Sequence, residues 1–447
     1  MSTDGPAPST LSSTMPLTQP TTMPSAKPSA THASPKSGKI FLVGLGPGDI
    51  DQMTARARAA IAAADVAIGY RTYLRLVAHL LEGKEVIERG MAEEIDRCSE
   101  AVALARRGRV VALVSSGDVG VFGMAGPLYE VLLAQGWTPD SGIAVEVVPG
   151  ITAASACASL VGAPLTHDFC AISLSDMLTP WTVIAARLEA AARADFVTVF
   201  YNPKSSRRPD QIREAQTIFL RHRSPTTPVA IVHAAYRPHQ SVDLTSLAGM
   251  LDRDIGMTSA VILGNRSSRV QSGIMLTPRG YAHKYDISDG QPRPGESPRV
   301  SLSSGLNGWR SALTALATEQ GIQQAAAILG ANPTQVLETL RERGDTSPMV
   351  VREPSAAALL DEALGWRGAT LHLPSSAASG ATLAVLDLAG VARGDQAGHL
   401  TLSGAGWTLE LPWTRVAAAY RVLDRQRVCV WLQGPEGDTL LRIEGVL

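Results

Sequence analysis

Short hydrophobic runs recur along the chain, each bounded by glycine, proline or polar turn residues. The first is Lys39-Ile-Phe-Leu-Val43, followed at once by Gly44-Leu-Gly-Pro-Gly-Asp49; others stand at 66–69, 109–114, 145–148, 196–201, 228–233 and 260–264. Unbroken apolar runs of this length predict strands buried on both faces. Between them, apolar residues return with helical spacing near 53–64, 73–81, 92–107, 151–161, 182–193 and 209–222. This alternation predicts an α/β fold with a mainly parallel sheet, arranged as two lobes, about 38–143 and 144–287, around a cleft.

The pattern changes after position 287. Residues 288–308 carry Gly290, Pro292, Pro294, Gly295 and Pro298 and read as a linker. Residues 309–447 predict a smaller α+β domain. It begins with two short helices joined at Gly330, the second started by Asn332 as N-cap and Pro333 at the first helical position. Alternating segments follow at 369–373, 381–388, 399–411 and 428–443, the last folding as a hairpin around Gly434-Pro-Glu-Gly437. The helix pair lacks the basic face a DNA reader needs, because Glu338 precedes Arg341. Residues 1–37, rich in Ser, Thr, Pro and Ala, predict a disordered tail.

Composition narrows the chemistry. A formal net charge of −1 with 18% charged residues gives no global field to recruit nucleic acid or anionic lipid. Cys98, Cys157, Cys170 and Cys429 are far apart with no C-x-x-C pair, so neither a metal, an iron–sulfur cluster nor a disulfide framework is expected. No apolar stretch reaches the roughly 18 residues of a membrane span. A cytoplasmic protein without membrane or nucleic-acid partner is the expectation.

Glycine and proline cluster at the strand ends. After Gly44–Asp49 come Ser115-Ser-Gly-Asp-Val-Gly-Val-Phe-Gly123, Val148-Pro-Gly-Ile-Thr152, Phe200-Tyr-Asn-Pro-Lys-Ser205 and Leu263-Gly-Asn-Arg266. In a parallel sheet such ends gather at one edge, where ligands bind. The first loop departs from the dinucleotide pattern G-x-G-x-x-G, with Pro47 inside it and Asp49 where the last glycine should stand. No Lys or Arg lies at 40–55 or 115–130, whereas a pyrophosphate calls for cations. An adenosine cofactor without phosphates, such as S-adenosylmethionine, fits backbone groups and an apolar wall.

The series Val43-Gly-Leu-Gly-Pro-Gly-Asp49, Ser116-Gly-Asp118 with Gly123, Val148-Pro-Gly-Ile-Thr-Ala153, Tyr201-Asn-Pro203 and Gly264-Asn-Arg266 resembles the tetrapyrrole (class III) methyltransferases over about residues 39–287. Asn202-Pro-Lys-Ser205 and Gly69-Tyr-Arg-Thr-Tyr73 resemble the ring-contracting branch of corrin synthesis, which methylates precorrin-3B at C17. The resemblance implies a two-lobed enzyme, a homodimer, with S-adenosylmethionine in the cleft. A cobalt-bearing substrate, cobalt-factor III, and a non-catalytic corrinoid-binding protein stand as alternatives.

By the same resemblance, Pro47, Gly117, Asp118, Val121, Thr152, Ala153, Tyr201, Asn202, Ala234 and Thr258 would contact the cofactor. Methyl transfer from a sulfonium to an electron-rich ring carbon needs alignment and water exclusion, but ring contraction would benefit from a proton donor or acceptor. His233 is the candidate acid or base, alternatively a structural strand-end histidine; Asp118 is the catalytic-site candidate for orienting the cofactor, alternatively a turn carboxylate capping the next helix. His167 and Asp168 are further candidates. Cations should meet the substrate's carboxylates. Lys204 and Arg266 are the residues expected to do so, while Arg207, Arg208 and Arg213 are either further ligands or a solvated loop. A faint similarity of residues 309–447 to haem-utilisation proteins makes His372 and His399 conceivable metal ligands, though none is expected.

Overall fold

The computed structural model describes residues 38–446, apart from 141, 345–346, 375–381, 397 and 425. The proposed tail at 1–37 lies outside the described residues. The chain divides into two compact units, Met1–Arg279 and Gly280–Leu447.

The first unit opens with five strands, β1 (Lys39–Gly44), β2 (Val66–Tyr70), β3 (Glu85–Arg89), β4 (Val110–Ser115) and β5 (Ala144–Val148), and four helices, α1 (Ala55–Ala63), α2 (Arg71–Leu76), α3 (Glu94–Arg106) and α4 (Ala125–Ala134). The strands form one sheet in the order β3-β2-β4-β1-β5, with every pairing parallel. Helices cover both of its faces, which is why β1 is apolar from Ile40 to Val43. Ile40 and Leu42 pack with Cys98, Val102, Leu128 and Leu132 of α3 and α4. Phe41 and Val43 turn the other way, onto Ala57, Ala60 and Ile61 of α1. Each such large side chain, once buried, contributes roughly 1.5–3 kcal/mol.

β5 corrects the expected lobe boundary. It begins the stretch read as the second lobe, yet it pairs with β1, residue Val43 opposite Val148. The first lobe therefore ends after Val148.

The second lobe contains α5 (Ala153–Val161), β6 (Gly162–Ala163), β7 (Phe169–Ser173), α6 (Trp181–Arg193), β8 (Val197–Tyr201), α7 (Gln211–Leu220), β9 (Pro228–His233), β10 (Ser241–Ser246), β11 (Ser259–Leu263), β12 (Arg269–Gln271) and β13 (Ile274–Leu276). Its main sheet has the order β10-β9-β11-β8-β7. This sheet is mixed: β7 runs parallel to β8, whereas β11 is antiparallel to both β8 and β9. The C-terminal ends of β8 and β9 thus share an edge with the beginning of β11. The C-terminal end of β11 lies at the opposite edge.

The second unit holds α8 (Tyr281–Lys284), α9 (Leu306–Gln320), α10 (Ile322–Leu329), α11 (Pro333–Arg343), β14 (Met349–Glu353), α12 (Ala356–Leu364), β15 (Thr370–Pro374), β16 (Thr382–Asp387), β17 (Ala392–Gln396), β18 (His399–Gly404), β19 (Trp407–Pro412), β20 (Ala418–Asp424), β21 (Arg427–Gln433) and β22 (Thr439–Val446). Six strands make an antiparallel sheet, β14-β20-β21-β22-β15-β16, and β17-β18-β19 make a second. Trp431 of β21 faces α9–α11 and Leu432 faces α12, the two-residue alternation of a strand packed on both sides. Asn332 caps α11: its side chain accepts from the Gln335 amide at 2.8 Å while the Gln335 side chain accepts from the Asn332 amide, with Pro333 at the first helical position. No helix among the described residues is long and apolar enough to cross a membrane.

Candidate active site

Three loops meet at the C-terminal edge of the parallel sheet, backbone against backbone. The amides of Gly46 and Gly117 each donate to the other's carbonyl, at 3.1 and 2.8 Å, and both residues have left-handed φ values of +72° and +68°. Gly150 follows β5 so closely that a Cβ there would lie 2.2 Å from the Gly117 carbonyl oxygen. Only glycine fits that crossing. Asp49 caps the turn Ile50–Gln52, its Oδ1 accepting from the Asp51 amide at 2.9 Å.

Asp118 ties these loops together. Its Oδ1 accepts from the Gly120 amide at 2.8 Å and its Oδ2 from the Gly150 amide at 2.9 Å. With both oxygens accepting from main-chain donors, this carboxylate clamps the loops to one another. Gly117 faces the start of α5: a Cβ built on it would stand 3.8 Å from the Thr152 Cα and 3.9 Å from the Ala153 nitrogen. The narrow space between these loops is one that glycine leaves open and a side chain would fill.

The second lobe closes the other side. At the end of β8 the Tyr201 hydroxyl accepts from the Ala154 amide at 2.9 Å and lies 2.6 Å from the Thr152 hydroxyl, satisfying a free donor at the N-terminus of α5. Burial raises the Tyr201 pKa against the opposing effect of these hydrogen bonds, so the phenol is neutral. Asn202 donates to the Ser173 hydroxyl at 3.1 Å. At the shared edge the Ala234 amide donates to the Thr258 carbonyl at 3.0 Å, and His233 Nε2 lies 3.1 Å from the Thr258 hydroxyl. Phe122 stands 55% exposed with its ring 4.9 Å from that of Tyr201, and Val121 beside it is also exposed. Phe122, Asn202, Ala234 and Tyr236 all have positive φ, from +47° to +56°. Such strain, on the order of 1–3 kcal/mol per residue, collects at functional clefts.

One residue that sequence reasoning missed crosses between the lobes. Arg237, in the loop joining β9 to β10, donates from Nε to the Pro47 carbonyl and from Nη2 to the Ser116 hydroxyl at 2.5 Å. Burial lowers its pKa, opposed by neighbouring Tyr73 and Cys157. The two loops that carry no cation of their own therefore receive one from the other lobe. The sequence signal was its position, four residues beyond a strand whose end was already assigned to the cleft.

Other expected residues lie elsewhere. Because β11 is antiparallel, Arg266 sits at the far edge of the mixed sheet, its amide 3.2 Å from the Asp195 carboxylate and its Nη2 directed at the His222 carbonyl. Asp168 is at that same edge, its carbonyl accepting from the Val197 amide at 3.3 Å, with His167 next to it. Arg208 is buried, donating to the Leu174 and Asn202 carbonyls, and pins the loop after β8 from inside. Lys204 alone of the two expected substrate ligands stays on the cleft-side loop. In the second unit, His372 is bound up with Thr370 and Arg442. No metal-binding group of His, Cys, Asp and Glu occurs among the described residues.

Comparison with known proteins places this geometry. The family model for tetrapyrrole (corrin/porphyrin) methylases matches residues 39–250. A cobalt-factor III methyltransferase of Priestia megaterium is 45% identical over 328 residues, 71% of this chain and 59% of that protein. That share exceeds what the first unit makes up, so the likeness runs on into the second. The chain spans a little over half the length of that relative. A precorrin-3B C(17)-methyltransferase of a Sinorhizobium species is 38% identical over 251 residues, 55% of this chain and 98% of that protein. The crystal structure of the methyltransferase CobJ is 38% identical, with a TM-score of 0.51, covering 54% of this chain and all of that one. A relative 38% identical and covered over 98% of its own length, together with the family model at residues 39–250, shows that the chain belongs to the tetrapyrrole methylase family.

Proposed function

We propose that residues 38–279 transfer a methyl group from S-adenosylmethionine to C17 of a corrin precursor, with ring contraction, in cobalamin synthesis. Precorrin-3B, giving precorrin-4, and its cobalt-bearing counterpart cobalt-factor III are the substrates this reading admits. The observation that carries it is the convergence of the Gly46, Gly117 and Gly150 loops with Thr152, Tyr201 and Ala234 on one narrow cleft. The donor supplies an already activated methyl group, so the protein's task is alignment and exclusion of water.

The chain's own residues divide that task. Pro47, Gly117, Val121, Thr152, Ala153, Asn202, Ala234 and Thr258 line the donor side, several through main-chain atoms, and Asp118 fixes the loops to one another. Neutral Tyr201 holds the start of α5 rather than moving a proton. His233, beside the Thr258 and Ser259 hydroxyls, is the imidazole assigned to proton movement in ring contraction. Lys204 offers its ammonium to an acetate or propionate group. The resemblance also implies a homodimer, which sedimentation or light scattering of the purified chain measures.

The decisive experiment incubates the purified full chain with methyl-labelled S-adenosylmethionine and, separately, precorrin-3B and cobalt-factor III. Label in a ring-contracted product is expected with at least one of them. Donor binding without transfer to either would refute the catalytic reading.

A further inference from the structure

We propose that Arg237 is a positioning residue, a latch from the second lobe that sets the conformation of the two glycine loops holding the methyl donor. This rests on the reading of those loops as the donor site. Three observations converge on it. First, a single guanidinium bridges both loops, Nε to the Pro47 carbonyl and Nη2 to the Ser116 hydroxyl, across 190 and 121 residues of sequence. Second, the loop makes room for it. Gly48 has φ +149°, and a Cβ there would lie 2.6 Å from the Arg237 Cγ and 2.9 Å from its Nε. Third, the latch is itself held in place. The Arg237 amide donates to the Ala234 carbonyl at 3.0 Å, the Gln240 amide donates to the Arg237 carbonyl at 3.1 Å, and Tyr236 beside it reaches the Ser159 hydroxyl of α5 at 2.8 Å.

The physical consequence is a loop pair held from two directions. From below, the sheet fixes Gly46 and Gly117 through their reciprocal hydrogen bonds. From across the cleft, a planar fork with fixed donor angles sets how far Pro47 and Ser116 stand from the second lobe. The spacing of the donor cleft is then determined by the β9–β10 loop rather than by the glycine loops alone. A lysine offers a compact ammonium on a flexible stem without the fixed fork angles, so it sets the two acceptors less rigidly.

The test uses the full chain and its Arg237→Met variant, which keeps an apolar stem and loses the fork. Amide hydrogen exchange is followed at residues 44–49 and 115–119, with the β4 amides as internal reference, and S-adenosylhomocysteine binding is measured by calorimetry. The expected result is exchange at least about tenfold faster in both loops, β4 unchanged, with inhibitor binding weakened about tenfold or more. Arg237→Lys should fall between. Ser116→Ala combined with Arg237→Met should weaken binding no further than Arg237→Met alone, since the two changes remove one shared contact. Should Arg237→Met fail to fold, Ser116→Ala alone removes the Nη2 acceptor and must speed exchange at residues 115–119. Unchanged exchange in the loops of a folded variant overturns the latch. If the wild-type chain binds no S-adenosylhomocysteine while the exchange pattern appears as expected, the latch stands and the donor reading falls.

Discussion

Asp118 accepts two main-chain hydrogen bonds from loops that follow different strands, so its replacement reaches further than one contact. Asp118→Asn turns one acceptor into an amide that faces a backbone N–H. We expect a loss of about 1–3 kcal/mol in the unfolding free energy of the first unit, measured by denaturant titration, together with weaker donor binding. Lys204 and Arg266 separate cleanly. Lys204→Ala should raise KM for the tetrapyrrole by roughly fivefold, about 1 kcal/mol for a half-exposed charge pair. Arg266→Ala should leave that KM unchanged in the same steady-state assay, because its side chain points to the His222 carbonyl at the far edge of the sheet. Both residues follow strands of similar apolar pattern; only strand direction distinguishes them.

Strand direction is what the pattern of side chains does not record. The runs at 40–43, 66–69 and 110–114 are apolar because helices cover both faces, and that sufficed to place β1, β2 and β4 in a parallel sheet. The runs at 196–201 and 260–264 look the same, yet β8 and β11 are antiparallel, which carries Gly264–Arg266 away from the cleft and brings Thr258 into it. β3, β7 and α4 were not legible: β3 alternates charged with apolar residues at a sheet edge, and α4 starts just after a stretch read as a glycine loop. Arg237 was hidden for a different reason. Its partners are a proline carbonyl and a serine hydroxyl more than 100 residues away, a pairing no local pattern encodes. Where an element end depends on a single side chain, the prediction is sharp. Tyr201→Phe keeps the ring beside Phe122 but leaves the Ala154 amide at the start of α5 without its acceptor. We expect it to cost about 1–2 kcal/mol in unfolding free energy, read by thermal melting against wild type.

Across the molecule, three thiols share one behaviour. Burial pushes Cys98, Cys157 and Cys429 up to about 12 from an ordinary value of 9.0. Below pH 9 both folded and unfolded chains hold these protons and the thiols have no effect on stability. Between pH 9 and 12 the unfolded chain releases protons that the folded one keeps, so stability should fall as pH rises, by at most about 1.4 kcal/mol per pH unit for each thiol. Urea midpoints measured across that range check the sign, and alkylation of the buried Cys98 and Cys157 at pH 8 should require unfolding. The two-unit division means that each melting step must be assigned to its own unit before the slopes are compared. The mutual hydrogen bonds of Gly46 and Gly117 have a consequence of another kind. Under the proposed function the donor side of this cleft is shaped largely by peptide groups, which every sequence possesses, while Lys204 offers a side chain to the acceptor. On that reading the two halves of the reaction are separately adjustable: a library randomised at position 204 is expected to alter which macrocycle is accepted, while donor binding followed by calorimetry stays as in wild type.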